Sequence, residues 1–78
     1  MSSKEFSEAI AAQIRGIIAK KGLSKGEVSE RSGIPPRTLA RYLNSTPQLP
    51  IDTIRDLAAA IGVSVGDLVE AVENTLND

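Results

Sequence analysis

Two arginine residues, Arg37 and Arg41, are four positions apart in the segment R-T-L-A-R. At that spacing they lie on one face of an α-helix, and Thr38 points outward beside them. The planar guanidinium group carries paired N–H donors that match the O6 and N7 acceptors of guanine in the major groove of duplex DNA. On an exposed helix with no binding role, the same residues are solubilising charges. Which role applies depends on the elements that position the helix.

The residues before this helix predict a second short helix and a tight turn. Ser24 and Glu27 form the pattern S-x-x-E of a capping box, in which each side chain accepts a hydrogen bond from the other residue's backbone N–H. The helix should begin at about Lys25 and end at Gly33, because glycine adopts the left-handed conformation of a helix C-terminus without strain. Two short helices joined through a glycine form a helix-turn-helix, which can place its second helix in the major groove.

The second helix should start at the two adjacent prolines, Pro35 and Pro36. Proline suits a first helical turn, where its fixed φ is helical and its missing N–H would have no partner anyway. Ser29 should face inward at the closest approach of the two helices, where only a small side chain fits. Leu39 and Tyr42 should face the body of the protein, which leaves the two arginines outside.

Charge is distributed unevenly along the chain, although the formal net charge is only −1. The segment 15–41 holds seven basic residues and two acidic ones, whereas the segment 52–78 holds six acidic residues and one basic residue. This separation predicts one basic binding end and one acidic end that keeps the protein in solution or meets a partner.

Apolar residues recur at helical spacing through most of the remaining chain, which predicts an all-α fold: a compact bundle of five helices in one domain of 78 residues. On the last helix we expect Val69, Val72 and Leu76 to leave apolar surface that the small core does not bury. The loop 45–50 carries no charge. The predicted helices span about 4–21, 25–32, 36–43, 51–61 and 65–76.

Several kinds of function are disfavoured by composition. The chain has no histidine and no cysteine, so the common general base, thiol nucleophile and soft metal ligands are absent, and we expect neither an enzyme nor a bound metal or other cofactor. Single-stranded nucleic acid needs aromatic platforms, but Phe6 and Tyr42 are the only aromatic residues and both lie in apolar stripes. No apolar run is long enough to span a bilayer, and the N-terminus lacks the pattern of a signal peptide. We therefore expect a cytoplasmic protein, at the bacterial nucleoid or in a phage-infected host. We expect no membrane partner and no small-molecule ligand.

Taken together, three segments resemble the phage repressor/Cro-type, or lambda-repressor-like, helix-turn-helix family over roughly residues 10–70. They are G-L-S-x-x-E-V-S-E-R-S-G, R-T-L-A-R-Y-L-N and D-T-I-R-D-L-A-A-A-I-G-V-S. The resemblance implies a compact bundle of about five helices that binds double-stranded DNA. The sequence differs from the family pattern in two places. Pro36 cannot donate a hydrogen bond, and the loop 45–50 is uncharged where relatives often have basic residues.

The resemblance also implies roles for individual residues. Lys25 falls where the family has a phosphate-contacting glutamine. Pro36, Arg37 and Arg41 fall at base-reading positions, and Asn44 falls at a position that contacts the DNA backbone. With the outward-facing Thr38 and the first loop residue, the expected DNA-binding residues are Lys25, Pro36, Arg37, Thr38, Arg41, Asn44 and Ser45.

The sequence therefore predicts a sequence-specific transcriptional regulator, a phage or bacterial repressor or Cro-like protein. It should bind a pseudo-palindromic operator as a homodimer, because one recognition helix covers too few base pairs for useful specificity. Contact between the two copies is expected through the last helix (Val69, Val72, Leu76), with the loop at Leu49 as the alternative surface. A protein-interaction module, such as the antidote half of a toxin–antitoxin pair, remains the alternative, with the acidic C-terminal half as its contact surface.

Overall fold

The computed structural model of the protein describes residues 2–45 and 48–76, and the side chains of these residues up to Thr75. Within these residues the chain forms five α-helices and one π-helical turn, and no strand. The prediction of an all-α bundle is thus confirmed. The helices are α1 (Ser3–Lys21), α2 (Lys25–Ser32), α3 (Pro36–Ala40), α4 (Ile51–Ile61) and α5 (Val65–Leu76), and the π-helical turn (Arg41–Ser45) continues α3.

The predicted cap of α2 is present in both directions. The backbone N–H of Glu27 donates to Ser24 Oγ over 3.0 Å, and the N–H of Ser24 donates to Glu27 Oε1 over 3.2 Å. Gly33 ends the helix with φ of +75°, in the left-handed region that favours glycine. Ser64 and Asp67 exchange the same pair of hydrogen bonds at the start of α5. These ends are determined by residues no more than four positions apart, which is why the sequence predicts them well.

One apolar core joins all the helices. α1 packs against α4, α5 and the π-helical turn, and α2 packs against α3 and α4. Leu39 and Leu43 anchor α3 and its π-helical turn in this core. The largest fully buried side chains are Ile10, Ile14, Val28, Leu39, Leu43, Leu57, Ile61, Leu68 and Val72.

The expectation of a free apolar stripe on α5 is wrong at Val72, which is only 1 % exposed. The reason is the length of α1, whose 19 residues give α5 a long surface to pack against. A hydrogen bond of 3.4 Å from Gln13 Nε2 to Thr75 Oγ1 extends this contact to the last turns of α5. Val69 is half-buried, and the side chain of Leu76 lies outside the described residues. Val72, which we expected to leave apolar surface, is therefore part of the core.

Leu49, the other residue expected at a contact between copies, is also mostly buried, with 6 % exposure. Its backbone N–H donates to Ser7 Oγ over 3.0 Å, which holds this part of the loop against α1. Leu49 thus packs inward against the core and is not on the outer surface of the loop.

Two cationic side chains of α1 bind the C-terminal ends of other helices. Arg15 Nη1 donates to the backbone carbonyl of Leu43, in the π-helical turn. Lys21 Nζ donates to the carbonyl of Ile61, at the end of α4, over 2.7 Å. The last carbonyls of a helix have no partner within the helix and carry its negative dipole end, so a cation there is favourable.

Ser29 lies where α2 meets α3, as its predicted inward position requires. It is 9 % exposed, and its hydroxyl donates to the carbonyl of Ile34 in the turn between the helices. We expect Ser29→Leu to lower the free energy of unfolding by about 1–3 kcal/mol, because the larger side chain overpacks the crossing. Denaturant unfolding measures the change, and Glu30→Leu, which places the same side chain at an exposed position of α2, is the control. Equal stability of the two variants would contradict this packing.

Candidate nucleic-acid interface

The segment 36–45, which we call the recognition helix, consists of α3 and the π-helical turn and has one buried and one exposed face. Leu39 and Leu43 are 0 % and 2 % exposed and fix the helix to the core. On the opposite side Arg37 and Arg41 are exposed, as their spacing predicts. The apolar residues thus hold the two guanidinium groups outward on a rigid support.

The remaining residues proposed for DNA contact surround these arginines in the sequence. Pro36 is exposed at the first position of α3, and Thr38 is half-buried between Arg37 and the core residue Leu39. Asn44 and Ser45 are exposed on the π-helical turn. The sequence predicted an α-helix ending at about residue 43, but the final turn is π-helical and extends to Ser45.

Lys25 and Asn44 come together although they are 19 positions apart. Both line a cleft of about 210 Å³ between α1, the start of α2 and the end of the recognition helix, together with Arg15, Ile18, Ala19 and Leu43. Lys25 is the first residue of α2, where the positive end of the helix dipole adds to its own charge. The cleft thus brings together two cationic side chains and a side-chain amide, and one of the cations, Arg15, donates to the carbonyl of Leu43. Lys25 and Asn44 carry groups that pair with phosphate oxygens.

Ion pairing leaves the two outward arginines available. Arg31 on α2 pairs with Glu27, with 3.6 Å between Nη2 and Oε2. This is the only ion pair among residues 2–45 and 48–76, so neither Arg37 nor Arg41 is neutralised by a described carboxylate. The guanidinium carbon of Arg41 lies 5.8 Å from the centre of the Tyr42 ring, within the range of a cation–π interaction.

The sequence analysis did not include Arg15 in the site. Its guanidinium reaches the carbonyl of Leu43, 28 positions away, and lies at the same cleft as Lys25 and Asn44. No local pattern signals this contact, because it depends on how α1 crosses the recognition helix. The preponderance of basic residues in the segment 15–41 is the only sequence feature that points to it.

An uncharged groove lies beside the loop that follows the recognition helix. Its volume is about 420 Å³, and within it Ile51 is 69 % exposed at the first position of α4. Residues 46 and 47 of the loop are outside the described part of the chain. The groove is lined by Ser2, Ser3, Phe6, Ser7, Gln48, Leu49, Ile51 and Ile54.

None of the helices in the described part of the chain has the length and apolar character needed to cross a membrane. Comparison with curated proteins and with solved structures gives no significant match.

A family model described as the Cro/C1-type HTH DNA-binding domain matches residues 13–74. The match begins within α1, contains all of α2, the recognition helix and α4, and ends within α5. It confirms the resemblance that the sequence motifs indicated. The chain therefore belongs to the family of Cro/C1-type helix-turn-helix DNA-binding domains.

Proposed function

We propose that this protein is a sequence-specific regulator of transcription, a repressor or Cro-like protein of phage or bacterial origin, that reads duplex DNA with its recognition helix. The observation that carries the proposal is the pair of exposed arginines, Arg37 and Arg41, on a helix that the buried side chains of Leu39 and Leu43 fix to the core. A helix fixed to the core that presents two guanidinium groups, neither of them paired with a described carboxylate, is suited to reading guanine edges in the major groove.

In this arrangement different residues would contact the bases and the DNA backbone. Arg37 and Arg41 supply bidentate donors for bases, and Pro36 offers only apolar contact, such as that with a thymine methyl group. Lys25 and Asn44, which both line the cleft, would hold phosphate and fix the register of the helix on the duplex. We propose that the hydroxyl groups of Thr38, which is half-buried, and of Ser45, which is exposed, add contacts to the same duplex.

We further propose that two copies bind a pseudo-palindromic operator through the uncharged groove at Ile51. The burial of Val72 removes much of the surface on α5, whereas Ile51 is the large apolar residue that the described chain leaves most exposed. None of the described residues that line the groove is charged, so two identical grooves can meet across a two-fold axis without repulsion between these side chains. The groove adjoins the loop that follows the recognition helix. The two recognition helices of a dimer must enter half-sites about 34–36 Å apart to lie on one face of the duplex.

Selection of bound sites from random duplex DNA tests the proposal directly. We expect enrichment of a pseudo-palindrome with half-sites one helical turn apart, bound more weakly as salt is raised because phosphate contacts release counterions. The control is the Arg37→Ala, Arg41→Ala double variant, which should retain salt-dependent binding but lose the sequence preference. Failure of the natural sequence to enrich any site beyond this control would contradict sequence-specific binding.

Lys25→Ala should weaken binding to the selected site and to random duplex DNA by the same factor. The reason is that a phosphate contact at the positive end of α2 carries no base information. The slope of log affinity against log salt concentration should become shallower by about one phosphate contact. Titrations at several salt concentrations measure both effects. The charge control is Lys4→Ala, in the first turn of α1, which does not line the cleft that holds Lys25. A loss of affinity confined to the selected site would contradict the role proposed for Lys25.

A further inference from the structure

The last turn of the recognition helix is held from two sides at a single residue, Leu43. Its side chain is 2 % exposed in the core, and its backbone carbonyl accepts a hydrogen bond from Arg15 Nη1 on α1. Arg41 and Asn44, which bear the proposed contacts to base and phosphate, are within two positions of Leu43 on the same π-helical turn. Any shift or rotation of this turn relative to the core therefore moves Arg41 and Asn44 together.

The recognition helix has little capacity to hold this turn by itself. Its α-helical part contains only five residues, and such short helices are marginal without tertiary contacts. The π-helical turn that follows has a hydrogen-bonding pattern that is rare in proteins and is frequently found at functional sites. The carbonyls at the end of a helix also lack partners within the helix, so an external donor is needed to fix them.

The contact between Lys21 and Ile61 provides an internal comparison. It is the same kind of interaction, a cation of α1 at the C-terminal carbonyls of another helix, but it caps α4, which lies outside the proposed DNA contacts. Removal of either cation should cost some stability. Only the removal of Arg15 should alter the recognition helix.

We propose that Arg15 is a positioning residue for DNA recognition: its hydrogen bond to the Leu43 carbonyl holds the π-helical turn in the conformation that aims Arg41 and Asn44 at DNA. This inference rests on the proposed function. Its direct consequence for the free protein, order in the segment 41–45, holds without DNA.

Amide hydrogen exchange in the free protein tests the first step. Arg15→Met removes the donor but keeps an unbranched apolar side chain, and it should speed exchange in the segment 41–45 by about tenfold, the factor expected for loss of one hydrogen bond from a charged donor. Lys21→Met should speed exchange at the end of α4 instead and leave the segment 41–45 unchanged. Unchanged exchange in this segment in Arg15→Met would overturn the proposal, whether or not the protein binds DNA.

Binding to the selected duplex and to random duplex DNA tests the second step. Arg15→Met should lower affinity for the selected site by about tenfold and for random duplex by less than about twofold, with the salt slope unchanged. Arg15→Lys keeps a cationic donor and should remain within about threefold of the natural protein. Lys20→Met removes an exposed charge of α1 and should leave the preference for the selected site unchanged.

Two results would overturn the positioning role even if DNA binding itself is confirmed. An equal loss on both duplexes with a shallower salt slope would make Arg15 a direct phosphate contact. A lower melting temperature in Arg15→Met with unchanged affinity and specificity well below that temperature would make the hydrogen bond purely structural. Failure of the natural protein to bind any duplex would instead contradict the proposed function, and hydrogen exchange would still decide the positioning of the turn.

Discussion

Arg41→Ala is expected to weaken binding to the selected operator by about 1–3 kcal/mol and to relax the base preference at one position in each half-site. Arg41 is exposed on the recognition helix, no described carboxylate pairs with it, and its guanidinium group lies within cation–π range of the Tyr42 ring. A bidentate guanidinium contact to a guanine edge distinguishes that base from the other three. Its removal should therefore weaken binding to the selected site more than binding to random duplex DNA. Competition between the selected site and single-base variants measures the change.

Arg31→Ala is the matched control for this prediction, because it removes an exposed arginine of α2 that is paired with Glu27. Its effect on the ratio of specific to non-specific affinity should be small. Arg41→Lys keeps the charge but loses the planar pair of donors, and it should behave more like Arg41→Ala than like the natural protein at the affected base. An unchanged ratio of specific to non-specific binding in Arg41→Ala would show that Arg41 does not read a base.

Ile51→Asp is expected to abolish cooperative binding to the full operator while leaving the affinity for a single half-site nearly unchanged. Burial of one isoleucine side chain contributes about 1.5–3 kcal/mol, which corresponds to a loss of about 10- to 150-fold in cooperativity for each of the two copies. Two aspartates brought together by the two-fold axis would add repulsion. Mobility-shift titrations with full and half operators, over a range of protein concentrations, give the two affinities separately.

Ala59→Asp is the control for this prediction, since it places the same charge at an exposed position of α4 that does not line the groove. Cooperativity should survive in this variant. Cooperativity that persists in Ile51→Asp would show that the two copies meet elsewhere. Equal affinity of the natural protein for half and full operators, with no second binding step, would contradict dimeric binding altogether.

The parts of the structure that the sequence predicts are those determined by near neighbours. The cap at Ser24 and Glu27 and the left-handed end at Gly33 involve residues only a few positions apart, and both are confirmed. The spacing of Arg37 and Arg41 in turn predicts that they share an exposed face, and both are exposed.

Features that depend on the packing of distant segments were missed. Val72 reads as surplus apolar surface until the long α1 is placed beside it, and Leu49 reads as an exposed loop residue until its N–H meets Ser7. The hydrogen bond from Arg15 to Leu43 also joins distant segments and has no sequence signature. The roles of the DNA-contacting residues remain predictions, because they require a partner molecule.

The two cations of α1 that cap other helices have a consequence for how this helix can change. Arg15 and Lys21 are six residues apart, and at about 100° per residue they point in directions that differ by about 120°. Insertion or deletion of one residue between them would rotate one cation by about 100° relative to the other, so α1 could keep its contact with only one of the two helix ends. The stretch between them therefore tolerates substitution far better than a change of length. The number of residues between Arg15 and Lys21 thus fixes the orientation of the recognition helix relative to α4.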